Sequence, residues 1–322
     1  MPQKLSRREF DKKLKERPFE NLELLNSFDK ILKEQRGYIY KFPKAGEDAI
    51  LMVSGGIDSI VAWGWLMEEF KLKIHPVFFT SGKYRQKKEE RAVDFFAKIF
   101  EKKYPDLFNK PTKYSISLFP PELKQTTIES IHPEAILKNL SSEKGASGSF
   151  SYKSKINLET KIIPFLFPFY GVVLSTRLKD EQNLDVKNIF LGVGANDGII
   201  TPTQSFTSLR GAMVTMCAAT SSNQWNFCSP FLERQLGSWM GKAEIIKLGK
   251  KLNLPLENAW SCYFSYHYQC GNSCQACKDR VGSFIGAKVV DKTDYLFHQP
   301  WYVQKLEKLL FKLKKSNLLT VS

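Results

Sequence analysis

Residues 54–59 form the first of two clusters whose residue types and spacing suit chemistry. The hexapeptide Ser-Gly-Gly-Ile-Asp-Ser lies between an apolar run and a segment with helical character. Glycines let backbone N–H groups approach an anion closely and tolerate a positive φ angle. A helix N-terminus adds N–H donors and a partial positive charge, and we expect Ser59 or Asp58 to cap it. The hexapeptide therefore predicts a phosphate cradle, although an ordinary tight turn would explain the glycines alone.

The second cluster is a run of cysteines spaced Cys-x7-Cys-x3-Cys-x2-Cys, formed by Cys262, Cys270, Cys274 and Cys277. Four thiolates suit a tetrahedral Zn²⁺ ion with no position open for water, so such a site is structural. An iron–sulfur cluster also accepts four cysteines. His267 lies within the run and could replace one cysteine, but we expect it to be packed or exposed. Cys217 and Cys228 are predicted to be buried thiols.

The elements that must position these clusters follow the pattern of an α/β protein. Residues 49–53 and 73–79 read as two strands, and a helical pattern follows each of them. Strand, helix, strand, helix is typical of a parallel sheet with helices on both faces. A later strand is predicted at residues 187–194, and it ends in a turn with Gly192 and Gly194. The predicted fold class is therefore α/β, with a Rossmann-like parallel sheet.

The length of 322 residues allows about two domains. The predicted segments are a helical extension at 1–46, a main domain at 47–255 with an insertion at about 104–160, a metal-binding segment at 256–290 and a basic helix at 291–322. The extension is either packed on the body or an arm that docks a partner. The Ser-rich stretch 141–154 within the insertion is either a surface loop or a lid over a substrate.

Composition and charge exclude several classes of protein. Hydrophobic residues make up 43% of the chain, which excludes wholesale disorder. The net charge of +15 favours polyanionic or phosphorylated partners. The longest apolar stretch, residues 162–175, is shorter than the ~20 residues of a membrane span and contains two prolines. Because the N-terminus has no apolar secretory segment, we expect a cytoplasmic protein without a membrane partner.

The string Ser-Gly-Gly-x-Asp-Ser after the first strand resembles the signature of the PP-loop, or N-type ATP pyrophosphatase, superfamily. Its fold is the Rossmann-like adenine nucleotide alpha hydrolase fold. Members adenylylate an oxygen of the substrate, and a nitrogen or sulfur nucleophile then displaces AMP. The resemblance implies ATP-binding residues, namely Ser54, Gly55, Gly56, Ile57, Asp58, Ser59, Phe79, Gly192 and Gly194. It also implies that Asp58 acts in catalysis by holding Mg²⁺ against the phosphates. The missing GxxxxGK[ST] string argues against transfer of the γ-phosphate.

Residues 260–280 indicate a particular family within this superfamily. Trp-Ser-Cys-Tyr, then Cys-Gly, Cys-x-x-Cys and Arg280, resembles the C-terminal zinc segment of the QueC family of 7-cyano-7-deazaguanine synthases. The preceding run SPFLERQLGSWMGKAEII and the string FLGVGAND at 190–197 are also similar to that family. There ATP activates the carboxylate of 7-carboxy-7-deazaguanine, ammonia gives an amide, and a second ATP-dependent step gives a nitrile.

This second likeness implies roles for individual residues. Lys242 would neutralise pyrophosphate charge during catalysis, while a solvated lysine at a helix start is the plainer interpretation. Asp197, within the family-like string, is a predicted substrate-binding residue. Arg280 is either a phosphate contact or a cap on the zinc segment. Because members of the family are often dimers, a homodimer is expected by analogy.

The sequence departs from the family on the substrate side. The family's proline-x-Arg-Asn segment falls near residues 164–173, which lack both Arg and Asn, and its Tyr-Pro-Asp-Cys-Arg falls on Thr-Pro-Thr-Gln-Ser at 201–205. Arg210 is predicted to substitute for the lost arginine. An intact ATP half with an altered substrate half suggests a changed acceptor. QueC-like proteins of bacterial antiphage gene clusters, such as the Qat and type IV CBASS systems, suggest a protein amine from a partner protein in place of ammonia.

Three other interpretations fit the sequence. One is 7-cyano-7-deazaguanine synthase proper, using ammonia. Another is a tRNA-modifying PP-loop enzyme, which the positive charge would suit. However, the basic residues form no compact block and a thiolase needs unligated cysteines, so nucleic acid is not the favoured partner. The third is a non-catalytic scaffold that contains zinc, and the intact hexapeptide at 54–59 argues against it.

Overall fold

A computed structural model describes residues 4–80, 84–116, 127–131, 153–264 and 267–317. The strands are β1 Asp48–Val53, β2 Lys73–Thr80, β3 Thr112–Ser115, β4 Thr127–Ile131, β5 Lys153–Asn157, β6 Asn188–Leu191, β7 Asn226–Cys228, β8 Leu232–Glu233 and β9 Ser238–Trp239. The helices are α1 Arg7–Lys15, α2 Leu22–Arg36, α3 Ile57–Glu68, α4 Tyr84–Lys103, α5 Leu158–Gln182, α6 Asp197–Ile200, α7 Phe206–Ala219, α8 Lys242–Lys251, α9 Gln275–Ala287 and α10 Trp301–Asn317.

The chain packs as two compact units, each built from two separate segments. One unit comprises Pro43–Ser115 and Met240–Ser322, and we name it the loop unit because it holds residues 54–59. The other comprises Met1–Phe42 and Ile116–Trp239, and we name it the extension unit because it holds the N-terminal extension. The domain boundaries that we predict from the sequence follow the chain order, and they stay a prediction.

The loop unit contains three parallel strands in the order β3-β2-β1. The register pairs Val53 at the end of β1 with Phe78 near the end of β2, so both strands end at the same sheet edge. Helix α3 follows β1 and is almost entirely buried because its residues are apolar on all sides. Helix α8 packs closely on it, since a Cβ at Gly249 would lie 2.8 Å from the Cγ2 of Val61. The predicted strand-helix-strand-helix order with parallel pairing is confirmed.

The extension unit contains the parallel pair β6-β7, on which the N-terminal helices are anchored through α7. Phe10 of α1 makes edge-to-face contacts with Phe206 and Trp239. On α2, the ring of Phe28 fills the space beside Gly211 of α7, where a Cβ would lie 3.1 Å from it. The N-terminal extension is therefore packed on the extension unit, as the first alternative expects, and its docking of a partner stays a prediction.

Helix α5 was not predicted, because Pro164 and Pro168 interrupt the apolar pattern that would indicate it. Proline removes a backbone donor and usually ends or kinks a helix, yet the backbone stays helical through both positions. Across the part of the chain that the structure describes, neither α5 nor another helix has the length and hydropathy that a bilayer crossing requires.

The insertion at 104–160 is described only in part. Within it, β4 and β5 pair as an antiparallel hairpin, with Ile128 opposite Ile156. Most of the Ser-rich stretch, residues 141–152, lies outside the described residues. The alternatives of a surface loop and a substrate lid therefore both stay predictions.

Candidate functional site

The turn after β1 requires glycine at position 55 for two reasons. Its φ angle of +75° lies in the left-handed region that other residues rarely adopt. A Cβ at this position would also overlap the backbone carbonyl of Glu89 on α4. The turn is therefore pressed against the backbone of a neighbouring helix, which fixes the direction in which its peptide groups point.

Hydrogen bonds between the two serines hold the turn in shape. The backbone N–H of Ser54 donates to the Oγ of Ser59 at 3.1 Å, and that Oγ donates to the carbonyl of Gly56 at 3.2 Å. The N–H of Gly56 donates to the Oγ of Ser54 at 3.3 Å. These contacts occupy the serine hydroxyls within the turn, so the remaining anion-binding capacity lies in the backbone at the start of α3.

Helix α3 begins at an open N-terminus. Gly56 is its N-cap, and within the described residues no side chain makes the capping hydrogen bond there. The expectation that Ser59 or Asp58 caps the helix is wrong, because both lie inside the first turn. An N-terminus without a capping side chain keeps its N–H groups and its partial positive charge for a ligand. This is the arrangement that binds phosphate in many nucleotide sites.

Asp58 and Lys242 meet beside this helix start. Lys242 is the first residue of α8, and its Nζ lies 3.1 Å from the Oδ2 of Asp58. The two side chains keep 26% and 16% of their surface exposed, so both can exchange this contact for a ligand. Lys242 is thus held in an ion pair and is not simply solvated. The structure brings these two predicted catalytic residues together in the loop unit.

Two residues of α4 that the sequence did not indicate, Arg85 and Glu89, support the turn. Glu89 supplies the carbonyl that packs on Gly55, and its carboxylate accepts from the Nε of Arg85 at 2.7 Å. Burial raises the pKa of Glu89, while the Arg85 guanidinium opposes that shift. An Arg–Glu pair at i, i+4 just after the second strand is the sequence signal that could have indicated them.

The end of β2 lies at the same sheet edge as the turn. Phe78 is paired with Val53, the last residue of β1. The next two residues of β2, Phe79 and Thr80, therefore lie just beyond the end of β1, next to Ser54. The ring of Phe79 contacts Tyr114 of β3 at a centroid distance of 6.0 Å. Ligands of parallel sheets bind outside the carboxyl ends of the strands. ATP binding by Phe79 stays a prediction, and the position of Phe79 at this sheet edge agrees with it.

The other predicted nucleotide and substrate residues lie in the extension unit. Gly192 and Gly194 follow β6, and the N–H of Gly194 donates to the Oδ2 of Asp197 at 2.7 Å. Asp197 is the first residue of the short helix α6, so its carboxylate shapes the turn that contains both glycines. The predicted roles of these three residues in binding stay predictions.

Arg210 is buried in a network of charges. Its side chain is 1% exposed, its Nη2 lies 2.8 Å from Glu233 and its Nε lies 3.1 Å from Asp29 of α2. Asp29 also pairs with Arg234. The network joins the N-terminal extension to the body of the extension unit. This burial counts against direct contact between Arg210 and a substrate.

The four predicted metal ligands converge. The Sγ atoms of Cys262, Cys270, Cys274 and Cys277 all lie within 4.8 Å of one another, and all four residues are buried. A tetrahedron of thiolates around zinc has S···S edges of about 3.8 Å, given Zn–S bonds of about 2.3 Å. The set therefore fits a single metal ion. The hydrogen bond with Cys262, opposed by the one with Cys274, lowers the pKa of Cys270 to about 7.

The structure also tests the predictions made for His267, Arg280 and the two other cysteines. His267 lies outside the cysteine group and its Nδ1 is 2.6 Å from Glu307 of α10. Arg280 is buried and donates to the carbonyls of Leu256 and Ala259 and to Thr293. Of the two alternatives for Arg280, these contacts favour a cap on the cysteine segment. Cys217 and Cys228 are buried free thiols, as predicted.

A parallel sheet whose first strand runs into a glycine turn and an open helix start defines an α/β protein with a candidate phosphate site at that turn. The family model described as "Queuosine biosynthesis protein QueC" matches residues 48–288, about three quarters of the chain. The chain therefore belongs to the QueC family. It is similar to the 7-cyano-7-deazaguanine synthase of Methanothrix thermoacetophila, with 21% identity over 77% of this chain and 98% of that protein. The synthase of Thermoplasma volcanium is 23% identical over 81% of this chain and 96% of that protein.

Two solved structures also resemble the chain. One is the U34-tRNA thiolase NcsA from Methanococcus maripaludis with its [4Fe-4S] cluster, at a TM-score of 0.32 and 13% identity, covering 81% of this chain and 71% of that one. The other is the NH3-dependent NAD synthetase from Campylobacter jejuni, at a TM-score of 0.31 and 13% identity, covering 73% and 74%.

Proposed function

We propose that this chain is an ATP-dependent, AMP-forming carbon–nitrogen ligase that activates the carboxylate of 7-carboxy-7-deazaguanine or a close analogue. Membership of the QueC family supports an ATP-dependent ligase that activates a carboxylate. The observation that carries the proposal is the uncapped start of α3 beside the Lys242–Asp58 pair. Together they offer backbone donors, one cation and one carboxylate at a single point.

The proposed first step is an adenylyl transfer. A carboxylate oxygen of the substrate attacks the α-phosphorus of ATP, the bond from that phosphorus to the bridging oxygen breaks, and pyrophosphate leaves. The N–H groups at the start of α3 would bind the pyrophosphate as its charge develops. Lys242 would exchange its contact with Asp58 for the same oxygens and hold them in place.

Asp58 has a second proposed role as a magnesium ligand. The carboxylate lies in the first turn of α3, where an ion bound to it would meet the phosphates. When bound, Mg²⁺ supplies positive charge that stabilises the leaving pyrophosphate. Asp58 would therefore orient Lys242 in the free protein and hold the metal in the complex with ATP.

The proposed second step joins the acyl group to a nitrogen nucleophile. The nitrogen attacks the acyl carbon, the bond to the AMP oxygen breaks, and the nucleophile loses a proton. The altered residues 201–205 support a changed acceptor, and their backbone forms a short 3₁₀ turn that runs into α7. The acceptor that we propose is a protein amine from a partner protein, as the likeness to antiphage QueC-like proteins suggests. Ammonia is the alternative.

The cysteine cluster is proposed to hold one structural Zn²⁺ ion. All four Sγ atoms are engaged by such an ion, so no position is left for a substrate. The compact spacing supports a single ion, because an iron–sulfur cluster places a layer of iron and sulfide between its thiolates and needs a wider cage.

Exchange between ATP and labelled pyrophosphate tests the first step. We expect exchange that requires 7-carboxy-7-deazaguanine and is lost when that carboxylate is omitted. Exchange that proceeds equally without it, or none with any deazapurine carboxylate, would contradict the proposal. Mass spectrometry of the products with ammonia, and separately with candidate partner proteins, would then identify the acceptor. Full conversion to the nitrile with ammonia alone, with no protein gaining mass, would exclude the protein-amine acceptor.

A further inference from the structure

The segment that leads into the cysteine cluster is bonded to the phosphate turn. The backbone N–H of Trp260 donates to the carbonyl of Gly55 at 2.9 Å. A Cβ at Gly56 would lie 3.8 Å from the carbonyl oxygen of Trp260, so the two backbones run side by side. Trp260 is only two residues before Cys262. The conformation of the phosphate turn therefore depends on where residues 259–261 are held.

Gln269 holds residues 259–261 from within the cysteine segment. Its Nε2 donates to the carbonyl of Ala259 at 2.9 Å, and its Oε1 accepts from the N–H of Ser261 at 2.9 Å. The side chain is 3% exposed, so its amide is committed to these two peptide groups. Gln269 is also the residue just before Cys270. Its backbone is therefore held between a predicted metal ligand and Leu296, whose N–H donates to the Gln269 carbonyl at 2.8 Å.

Two further contacts connect the same residues to the cluster. The indole N–H of Trp260 donates to the carbonyl of Cys262 at 3.0 Å. Arg280, three residues after Cys277, donates to the carbonyl of Ala259 at 3.0 Å. Three side chains thus fix one short stretch of backbone, and that stretch bonds directly to the phosphate turn.

We propose that Gln269 is a positioning residue that couples the cysteine site to the phosphate turn, so that metal and ATP strengthen each other's binding. Because the cysteine segment is ordered by its metal, loss of metal loosens Gln269 and Trp260, and the Gly55 carbonyl loses its partner. The turn must then be ordered when ATP binds, which lowers the affinity. By thermodynamic reciprocity, the chain must bind the metal more tightly, by the same factor, when ATP is bound. The inference rests on the proposed function only in placing ATP at the turn.

Metal release from the wild-type, metal-loaded chain is the first test. The protein is mixed with a chromogenic chelator, and the rate of metal release is followed with and without ATP and Mg²⁺, corrected for chelation of Mg²⁺. Coupling energies between sites commonly correspond to factors of about 5–150. We expect ATP to slow release by about tenfold. Equal rates with and without ATP, at ATP concentrations that calorimetry shows to be saturating, would overturn the inference.

A matched pair of variants is the second test. Gln269→Leu roughly keeps the volume and removes both amide contacts. Gln275→Leu changes an exposed glutamine that also lies among the cysteines and whose side chain donates to Asp279 at 2.7 Å. We expect Gln269→Leu to retain its metal, to bind ATP about tenfold more weakly, and to release metal at a rate that ATP no longer changes. Gln275→Leu should behave as wild type.

The outcomes separate this inference from the proposed function. If wild type binds no ATP by calorimetry, both are wrong. If wild type binds ATP and Gln269→Leu keeps the same affinity and the same response of metal release to ATP, only the coupling is wrong. Should Gln269→Leu fail to fold, the release measurement on wild type alone still decides the question.

Discussion

The loop unit and the extension unit use their charged side chains in opposite ways. Lys242 and Asp58 in the loop unit form a partly exposed pair at the starts of two helices. In the extension unit, Arg210 is buried between Asp29 and Glu233. A partly exposed pair can exchange partners when a ligand arrives. A buried charge cannot leave its partner without a large cost. The first arrangement is suited to chemistry and the second to stability.

The two units also differ in what holds them together. The phosphate turn is shaped by short contacts among residues 54–59 and by the backbones of Glu89 and Trp260. The extension unit joins segments that lie far apart in the sequence, because Asp29 and Glu20 of the N-terminal extension bond to residues of α7. A variant in the phosphate turn should therefore affect binding and turnover, and one in the buried charge network of the extension unit should affect folding.

Loss of a cysteine ligand is expected to have the largest effect. Cys274→Ser should lose the metal and lower the free energy of unfolding by more than about 5 kcal/mol, since structural zinc supplies about 10–16 kcal/mol in small zinc domains. Metal analysis and thermal melting check this. Ser273→Ala, at the exposed neighbouring position, is the control. A Cys274→Ser protein with full metal content and an unchanged melting temperature would contradict a structural metal site.

Asp58→Ala should abolish most turnover and leave the fold intact. We expect AMP formation to fall by about 10³-fold or more, equivalent to about 4 kcal/mol of transition-state stabilisation. Asp58 is the partner of Lys242 and the proposed magnesium ligand, so its loss removes both functions. Single-turnover assays and circular dichroism measure the two quantities. Asp106→Ala changes an exposed aspartate of the same unit and should have no effect. Wild-type turnover in Asp58→Ala would rule out the assigned role.

The loop unit was predictable from its sequence because its signals are local. Glycines before an apolar helix, cysteines at short spacing and the alternation of strands and helices are all visible within short windows. The predicted strands and the cysteine cluster are confirmed. What the sequence could not indicate is the contact of Trp260 with Gly55, which joins residues about 200 positions apart. Such contacts depend on tertiary packing, and no pattern of neighbouring residues encodes them.

Arg210, in the extension unit, shows the same limit on what can be predicted from the sequence. Its position after the altered residues 201–205 suggested a substrate ligand, because an arginine in a sequence carries no sign of its partners. The partners are Asp29 in the N-terminal extension and Glu233 beyond α7. The extension lies outside the part that matches the QueC family model, so the likeness gave no guidance there.

Arg210→Ala tests the contrast between the units directly. Removing this guanidinium leaves Asp29 and Glu233 buried with less compensation, and we expect a loss of about 3–5 kcal/mol in the free energy of unfolding. Denaturant unfolding provides the measurement. Arg177→Ala removes an exposed i, i+4 pair with Glu181 and should cost less than about 0.5 kcal/mol. If Arg210→Ala instead keeps its stability and only raises KM for the carboxylate substrate, Arg210 belongs to the substrate site and the contrast fails.

Glu20→Gln is expected to have the smallest effect. The Glu20 carboxylate accepts from the backbone N–H groups of Phe206 and Thr207 at 2.7 and 2.8 Å, and from the hydroxyl of Thr207 at 2.7 Å. It thus places a negative charge at the N-terminus of α7, where the helix dipole favours it. Glutamine keeps one acceptor and loses the charge, so we expect a loss of about 1–2 kcal/mol.

Denaturant unfolding of Glu20→Gln, with Glu16→Gln at an exposed position as the control, measures that loss. Because the same carboxylate ties the extension to α7, native-state hydrogen exchange should show faster exchange in α1, α2 and the first turn of α7. Exchange in α3 should not change, since its N-terminus depends on contacts within the loop unit. Uniform acceleration in both units would show that the extension stabilises the chain as a whole, and would remove the distinction between a unit built for chemistry and one built for stability.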